Sequence, residues 1–389
     1  MKKQLLSILK SDLARSSSII LIATISSNLI LFLANLYISK EIGPESFGVF
    51  KTVLYFFSFF SLVVDLGINF TLTKYIAEFG SKKKGQIGYM IKWFLKIKFF
   101  SYLSLAVLFL IFREEIAVLF LKNASLSYLI IPGILLTVFT IFTSFEVIML
   151  GFQRFKFFAM SQFLNLTTSA ILGILMLPFG IFYTILGWSF GPLIGNVFNI
   201  KFFFNKKIIR KTKEFDVKSI FLKFSIPMLL TNIIVGLTTL TVPLLSLFFS
   251  ALSVGYFSFA FIFYFAMLLI PNSMSAVLFP KVSELNGLKR HFDAKNLLKK
   301  AFTLYSFIVL IGIIFVILFS RQFITFISEE YLPSLLMFKV LVILGLFFGY
   351  NIIYTNYLKG LGKIKKFALL ILVQNILLLA ISFTLLSVF

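Results

Sequence analysis

Asp65 and Glu146 are the two carboxylates that fall inside long apolar stretches of this 389-residue chain. An acid in such a setting is costly unless it faces a cavity or a partner, so both are candidates for gating or for coupling to a cation. The plainer reading has Asp65 capping a helix or pairing near Lys74, and Glu146 pairing with Arg154. Lys51 and Lys339 sit about one turn inside two other apolar stretches, where a lysine can hold a phosphate as a point charge or snorkel to headgroups. Asn28 and Asn35 lie seven residues apart on one face of the first apolar stretch, beside Thr24 and Ser27. Thr231, Asn232, Thr238 and Thr239 mark a later one. Such stripes either line a polar path or bond helix to helix, the latter at about 0.6 kcal/mol per contact. Lys92, Lys96 and Lys98 open a third stretch, where they would anchor to anionic inner headgroups or recruit a lipid-linked phosphate. Arg113 and Arg321, with Glu114, Glu115, Glu329 and Glu330 close by, read as exposed ion pairs at the rim.

Other chemistries are absent from the sequence. The single histidine, His291, stands among Lys289, Arg290 and Asp293, which is no setting for a metal site or a catalytic triad. With no cysteine there is no disulfide, thiolate ligand or thiol nucleophile. Gly80 and Gly85 have the spacing of a nucleotide-binding loop, but Gln86 and Ile87 stand where Lys and Ser or Thr are needed. No cofactor is expected.

The elements that must position these residues are membrane helices. Hydrophobic residues make up 60% of the chain and charged residues 13%, which excludes an ordinary soluble domain. Apolar segments of the roughly 20 residues needed to span a bilayer fall near 16–38, 47–69, 91–112, 126–150, 159–178, 180–203, 225–248, 253–278, 301–320, 334–357 and 367–389. The expectation is an all-α polytopic protein with about eleven spans. Lys2, Lys3, Lys10 and Arg15 precede the first, which is too long for a signal-peptide core. The formal charge of +23 would suggest nucleic acid in a soluble protein. Here 31 of the 37 Lys and Arg fall on alternate connections, which marks those connections and the N-terminus as cytoplasmic and places Phe389 outside.

The chain also repeats itself. Gly151, Arg154, Lys156, Phe158 and Ala159 recur as Gly360, Lys363, Lys365, Phe367 and Ala368 at one offset. Gly48-Val49-Phe50 recurs as Gly255-Tyr256-Phe257, and Lys74 and Glu78 as Lys281 and Glu284. The halves therefore read as copies of one orientation, residues 1–215 with six spans and 216–389 with five. The second half is one helix short, either naturally or because the sequence is truncated.

These residues carry a resemblance. Ile42-Gly43-Pro44-Glu45-Ser46-Phe47-Gly48, Asp65-Leu66-Gly67, Lys74-Tyr75-Ile76-Ala77-Glu78, Ser253-Val254-Gly255-Tyr256, Phe279-Pro280-Lys281-Val282-Ser283-Glu284 and Gly360-Leu361-Gly362-Lys363 occur in an order similar to the polysaccharide (O-antigen) flippase branch of the multidrug/oligosaccharidyl-lipid/polysaccharide exporter superfamily. The resemblance implies two pseudo-symmetric lobes around a central cavity, and alternating-access transfer of a lipid-linked, polyprenyl-diphosphate oligosaccharide to the outer leaflet of the plasma membrane. It implies a transporter rather than an enzyme. Implied partners are membrane lipids, the lipid-linked oligosaccharide, and a polymerase or glycosyltransferases, with a monomeric chain. A cation-coupled drug exporter and a peptidoglycan-precursor flippase of the same superfamily are the alternatives. Asn28, Asn35, Lys51, Asp65, Glu146, Asn232 and Lys339 are the expected pathway residues.

Overall fold

A computed structural model describes residues 12–79, 84–205 and 213–388. Lys2, Lys3, Lys10, Gly80 and Phe389 lie outside them. Among the described residues all regular structure is helical: α1 (Asp12–Val64), α2 (Ile68–Phe79), α3 (Lys84–Ile111), α4 (Arg113–Leu121), α5 (Ile130–Phe139), α6 (Thr143–Gly151), α7 (Phe155–Met176), α8 (Ile181–Ser189), α9 (Gly191–Gly195), α10 (Val197–Asn205), α11 (Val217–Ile220), α12 (Ile226–Ser246), α13 (Ala251–Gly287), α14 (His291–Ile327), α15 (Leu335–Gly360) and α16 (Ile364–Ser387). Ten runs of helix are long and apolar enough to cross a bilayer. The first, Ile19–Val64, is broken at Gly43, whose φ of 73° and ψ of 171° no helix accepts. Pro44 then opens the second part, where its missing N–H leaves no bond unmade. Residues 19–42 and 44–64 each suffice for one crossing, which reconciles the ten runs with the eleven expected from sequence. The turn at Pro178 is present too: α7 passes through a tight turn at Leu177–Phe179, and Gly180, with φ 101°, starts the next helix.

The helices fall into two compact units, one of residues up to Ala34 with Val53–Gly236, the other of Asn35–Thr52 with Leu237 onward. This division differs from a boundary between residues 215 and 216, and close backbone contacts explain why. In the second unit a Cβ on Gly48 would lie 2.0 Å from the carbonyl oxygen of Ala251, and one on Gly255 would lie 1.8 Å from that of Pro44. Only glycine lets these helices approach so closely. The Tyr331 hydroxyl donates to the Ser39 carbonyl at 2.9 Å, fixing the same segment. In the first unit Gly67 takes φ 70° where a Cβ would stand 2.2 Å from the Ser225 carbonyl oxygen, and Thr71 and Ser225 share a hydroxyl bond of 2.7 Å. Residues 217–236 therefore pack with the first unit. Its core includes Ile68, Leu72, Ile76, Met90, Ile91, Phe94, Ile148 and Met149.

The repeated motif has the same geometry in both places. The N–H groups of Phe152, Gln153, Arg154 and Phe158 bond to the carbonyls of Ile148, Leu150, Met149 and Arg154. Those of Leu361, Gly362, Lys363 and Phe367 bond to Tyr357, Lys359, Leu358 and Lys363, each 209 residues on. Gln153 and Gly362 take positive φ at the matching position, 59° and 74°. Gly151 abuts Ile76 and the Thr73 carbonyl as Gly360 abuts Val282 and the Phe279 carbonyl.

Candidate functional site

The most concentrated polar site is buried in the first unit. Leu66 and Gly67 both adopt positive φ, 54° and 70°, which stops α1 and lets α2 start in a new direction. Asp65 sits at that break. Its carbonyl accepts the Ile68 N–H at 3.0 Å and its Oδ2 accepts the Asn69 N–H at 3.3 Å, so it caps α2 as one sequence reading expected. Its charge partner differs from the expected one. Lys74 is exposed and lies over the rings of Tyr75 and Phe224, at 4.8 and 4.1 Å. Lys98 of α3 takes the role instead, with Nζ 2.7 Å from Asp65 Oδ1 and no side-chain exposure.

Lys98 also donates to Asn69 Oδ1 at 2.9 Å and to Ser144 Oγ at 2.7 Å. The ammonium thus has three oxygen neighbours from the α1–α2 corner, α2 and α6, two of them hydrogen-bonded and the third, Asp65 Oδ1, an ion pair. The Asn69 amide reaches Thr143 Oγ1 at 3.4 Å, while Tyr102, one turn along α3, bonds with Thr140 at 3.1 Å. A buried ion pair persists only when compensated in this way, because desolvating either charge alone costs several kcal/mol and removing one partner of a buried pair costs on the order of 3–5 kcal/mol. Lys98 is therefore no headgroup anchor, in contrast to exposed Lys92 and Lys96. The sequence signal was available: Lys98 stands deeper in its apolar stretch than Lys92 and Lys96, at a depth where snorkelling is hardest.

Glu146 of α6 is also buried, in the same unit. Its Oε2 makes no hydrogen bond, and the Asn196 amide donates to the Pro192 carbonyl at 3.0 Å. The Asn199 amide donates to Ser161 Oγ at 2.6 Å and to Asn196 Oδ1 at 3.2 Å, and Asn199 Oδ1 is itself without a partner. No ion pair joins Glu146 to Arg154, which is exposed and lies against the Phe202 ring at 5.6 Å. Asn196, Asn199 and Ser161 were not singled out by sequence reading. They are short polar residues of kinds common in membrane helices, and only packing brings them together.

The other expected residues separate. Lys51, in the second unit, is buried and donates to Asn35 Oδ1, with its ammonium 5.3 and 5.8 Å from the rings of Phe47 and Phe50. This corrects a snorkelling role: the side chain turns inward because the amide across the Gly43 break offers an acceptor. Lys339 is half-buried on α15. Asn28 donates to the Thr24 carbonyl of its own helix at 2.7 Å, and Thr24 reaches Gln162 at 3.2 Å. Asn232 is buried on α12, and Thr238 bonds to Asn375 at 2.5 Å. At the rim, Arg113 lies 3.9 Å from exposed Glu114, and Arg321 forms no ion pair among the described residues.

The architecture has known counterparts. Residues 13–286 match the family described as Polysaccharide biosynthesis protein. An uncharacterized membrane protein of Methanocaldococcus jannaschii is 24% identical over 396 residues, covering 94% of this chain and 90% of that protein. Among solved structures, the lipid II flippase MurJ in an inward closed conformation superposes with a TM-score of 0.72 at 19% identity, covering 91% of this chain and 78% of MurJ. An inward-facing multidrug resistance MATE family transporter gives 0.71 at 14% identity, covering 93% and 94%. A MOP superfamily transporter from Pyrococcus furiosus gives 0.61 at 13%, covering 96% and 94%. At these identities the structures establish the fold, and the match over 13–286 establishes the family. This multi-pass, all-helical membrane chain belongs to the polysaccharide biosynthesis protein family.

Proposed function

We propose that the protein moves a polyprenyl-diphosphate-linked oligosaccharide from the cytoplasmic to the outer leaflet of the plasma membrane by alternating access of two repeat-related lobes. A glycan on a diphosphate cannot cross hydrocarbon unaided, since desolvating its charge is prohibitive. A member of a polysaccharide biosynthesis family with a transporter fold supplies the polar route that this cargo needs. The observation that carries the reading is the compensated charge inside the first unit, where Lys98, Asp65, Asn69 and Ser144 hold polarity within apolar helices. Intramembrane charge of this kind marks substrate and ion pathways. Glu146, with one carboxyl oxygen unbonded, suits coupling to a cation. The alternating placement of basic residues supports a cytoplasmic N-terminus. The chain acts as a monomer in contact with membrane lipids, beside the glycosyltransferases or polymerase that make and use its cargo.

Purified protein in vesicles, given a labelled polyprenyl-diphosphate oligosaccharide, tests this directly. Movement between leaflets that depends on the protein, and that is reduced in Asp65→Asn, Glu146→Gln and Lys51→Ala, is the expected result. Folded, correctly inserted wild-type protein that moves a drug-like cation but no such lipid would overturn it.

A further inference from the structure

The second unit presents a face that lipid does not suit. Along α15, residues Leu346, Gly349 and Ile353 are buried, whereas Phe347, Tyr350, Asn351, Tyr354 and Tyr357 recur at three- and four-residue spacing with partial or full exposure. That spacing puts them on one face. Tyr354 is 39% exposed, and its ring stacks on Tyr357 with centroids 6.2 Å apart and planes 22° from parallel. Tyr350 shares a hydroxyl bond of 2.7 Å with exposed Ser306. The Asn351 amide donates to Gln374 Oε1 of α16. Faces of the same unit that suit lipid look different: α16 exposes Leu369, Val373, Ile376, Leu377 and Phe383, and α14 exposes Leu304, Phe307, Leu310 and Ile311. An aromatic belt at the membrane interface would account for Tyr357 beside Lys359, but not for an amide and two further hydroxyls at this depth.

We propose that this stripe borders the aqueous path and binds the neutral sugar rings of the cargo. The assignment rests on the flippase reading and adds a subsite to it. Aromatic faces take the C–H surface of a pyranose, while hydroxyl and amide groups exchange hydrogen bonds with its hydroxyls, which requires no net charge. Among the stripe residues only uncharged groups occur, which distinguishes this subsite from the charged one in the first unit.

The absence of cysteine from the chain permits a clean test. Tyr354→Cys, with Ile311→Cys and Leu369→Cys as lipid-facing references, is exposed to a membrane-impermeant sulfonated maleimide in vesicles, with and without a soluble N-acetylglucosamine tetrasaccharide. The expected result is that Tyr354→Cys reacts about tenfold faster than either reference, a factor well above ordinary scatter, and that the tetrasaccharide slows it. Reaction no faster than the references, or quenching by spin-labelled acyl chains, places the stripe in lipid and overturns the proposal, as does reaction that the sugar does not slow. In parallel, Asn351→Leu/Tyr354→Leu should slow transfer of a polyprenyl diphosphate carrying that tetrasaccharide far more than one carrying a single N-acetylglucosamine. Equal slowing of both overturns a sugar-reading role. If wild-type protein moves neither lipid, the flippase reading fails, and the labelling result still decides the sugar site.

Discussion

Lys98 on α3 of the first unit and Tyr305 on α14 of the second are two ways of burying a large polar side chain among apolar helices. Both are completely buried. Lys98 is held by a carboxylate, an amide and a hydroxyl. Tyr305 donates to the Leu346 carbonyl at 2.8 Å and packs its hydroxyl where a Cβ on Gly349 would stand only 1.9 Å away. The two units thus hold two different solutions. A charge demands three coordinated partners, and a phenol demands one carbonyl and a small neighbour.

Substituting one member of the set should have the largest effect. Lys98→Leu leaves Asp65 buried without its counter-ion and should lower stability by about 3–5 kcal/mol, read as a large drop in melting temperature in detergent. Asp65→Leu/Lys98→Leu should recover most of that loss while leaving transport impaired. If the double variant is as unstable as the single one, the pair is not acting as a unit. Next comes the glycine crossing: Gly255→Ala, which forces a Cβ onto the Pro44 carbonyl, should cost about 1–3 kcal/mol by overpacking. Tyr305→Phe removes a single neutral bond and should cost about 1 kcal/mol, and its expected retention of transport would separate the second unit's centre from the first's. Smallest is Lys281→Ala, which breaks an exposed i,i+3 pair with Glu284 of 2.8 Å and should change the melting temperature by no more than about 0.5 kcal/mol implies.

How much of this was legible beforehand differs by type of feature. Helices, span positions and the Gly43 and Gly180 breaks follow from apolar run length and from the special backbone of Gly and Pro, which are local properties. The repeated turn was legible too, because a tight turn needs particular residues at particular places. The partner of Asp65 was not. Lys74 is nearer in the chain, but Lys98 is nearer in space, and one-dimensional spacing carries no information about which face of α3 meets α2. The inward turn of Lys51 was not legible for a related reason: a lysine near a span end snorkels unless an acceptor such as Asn35 is folded back toward it.

The sequence by itself determined that this chain lives in a membrane, how many times its helices can cross, which connections collect positive charge and that the motif at Gly151 recurs at Gly360. These depend on composition and on period, and both survive without knowledge of packing. Only the tertiary structure decided that residues 35–52 pack with the second unit and 217–236 with the first, and that a lysine rather than a lipid headgroup answers Asp65. Those outcomes turn on backbone approach at Gly48, Gly67 and Gly255 too close for any Cβ and on the need of each buried charge for partners, and neither quantity is written in the order of residues alone.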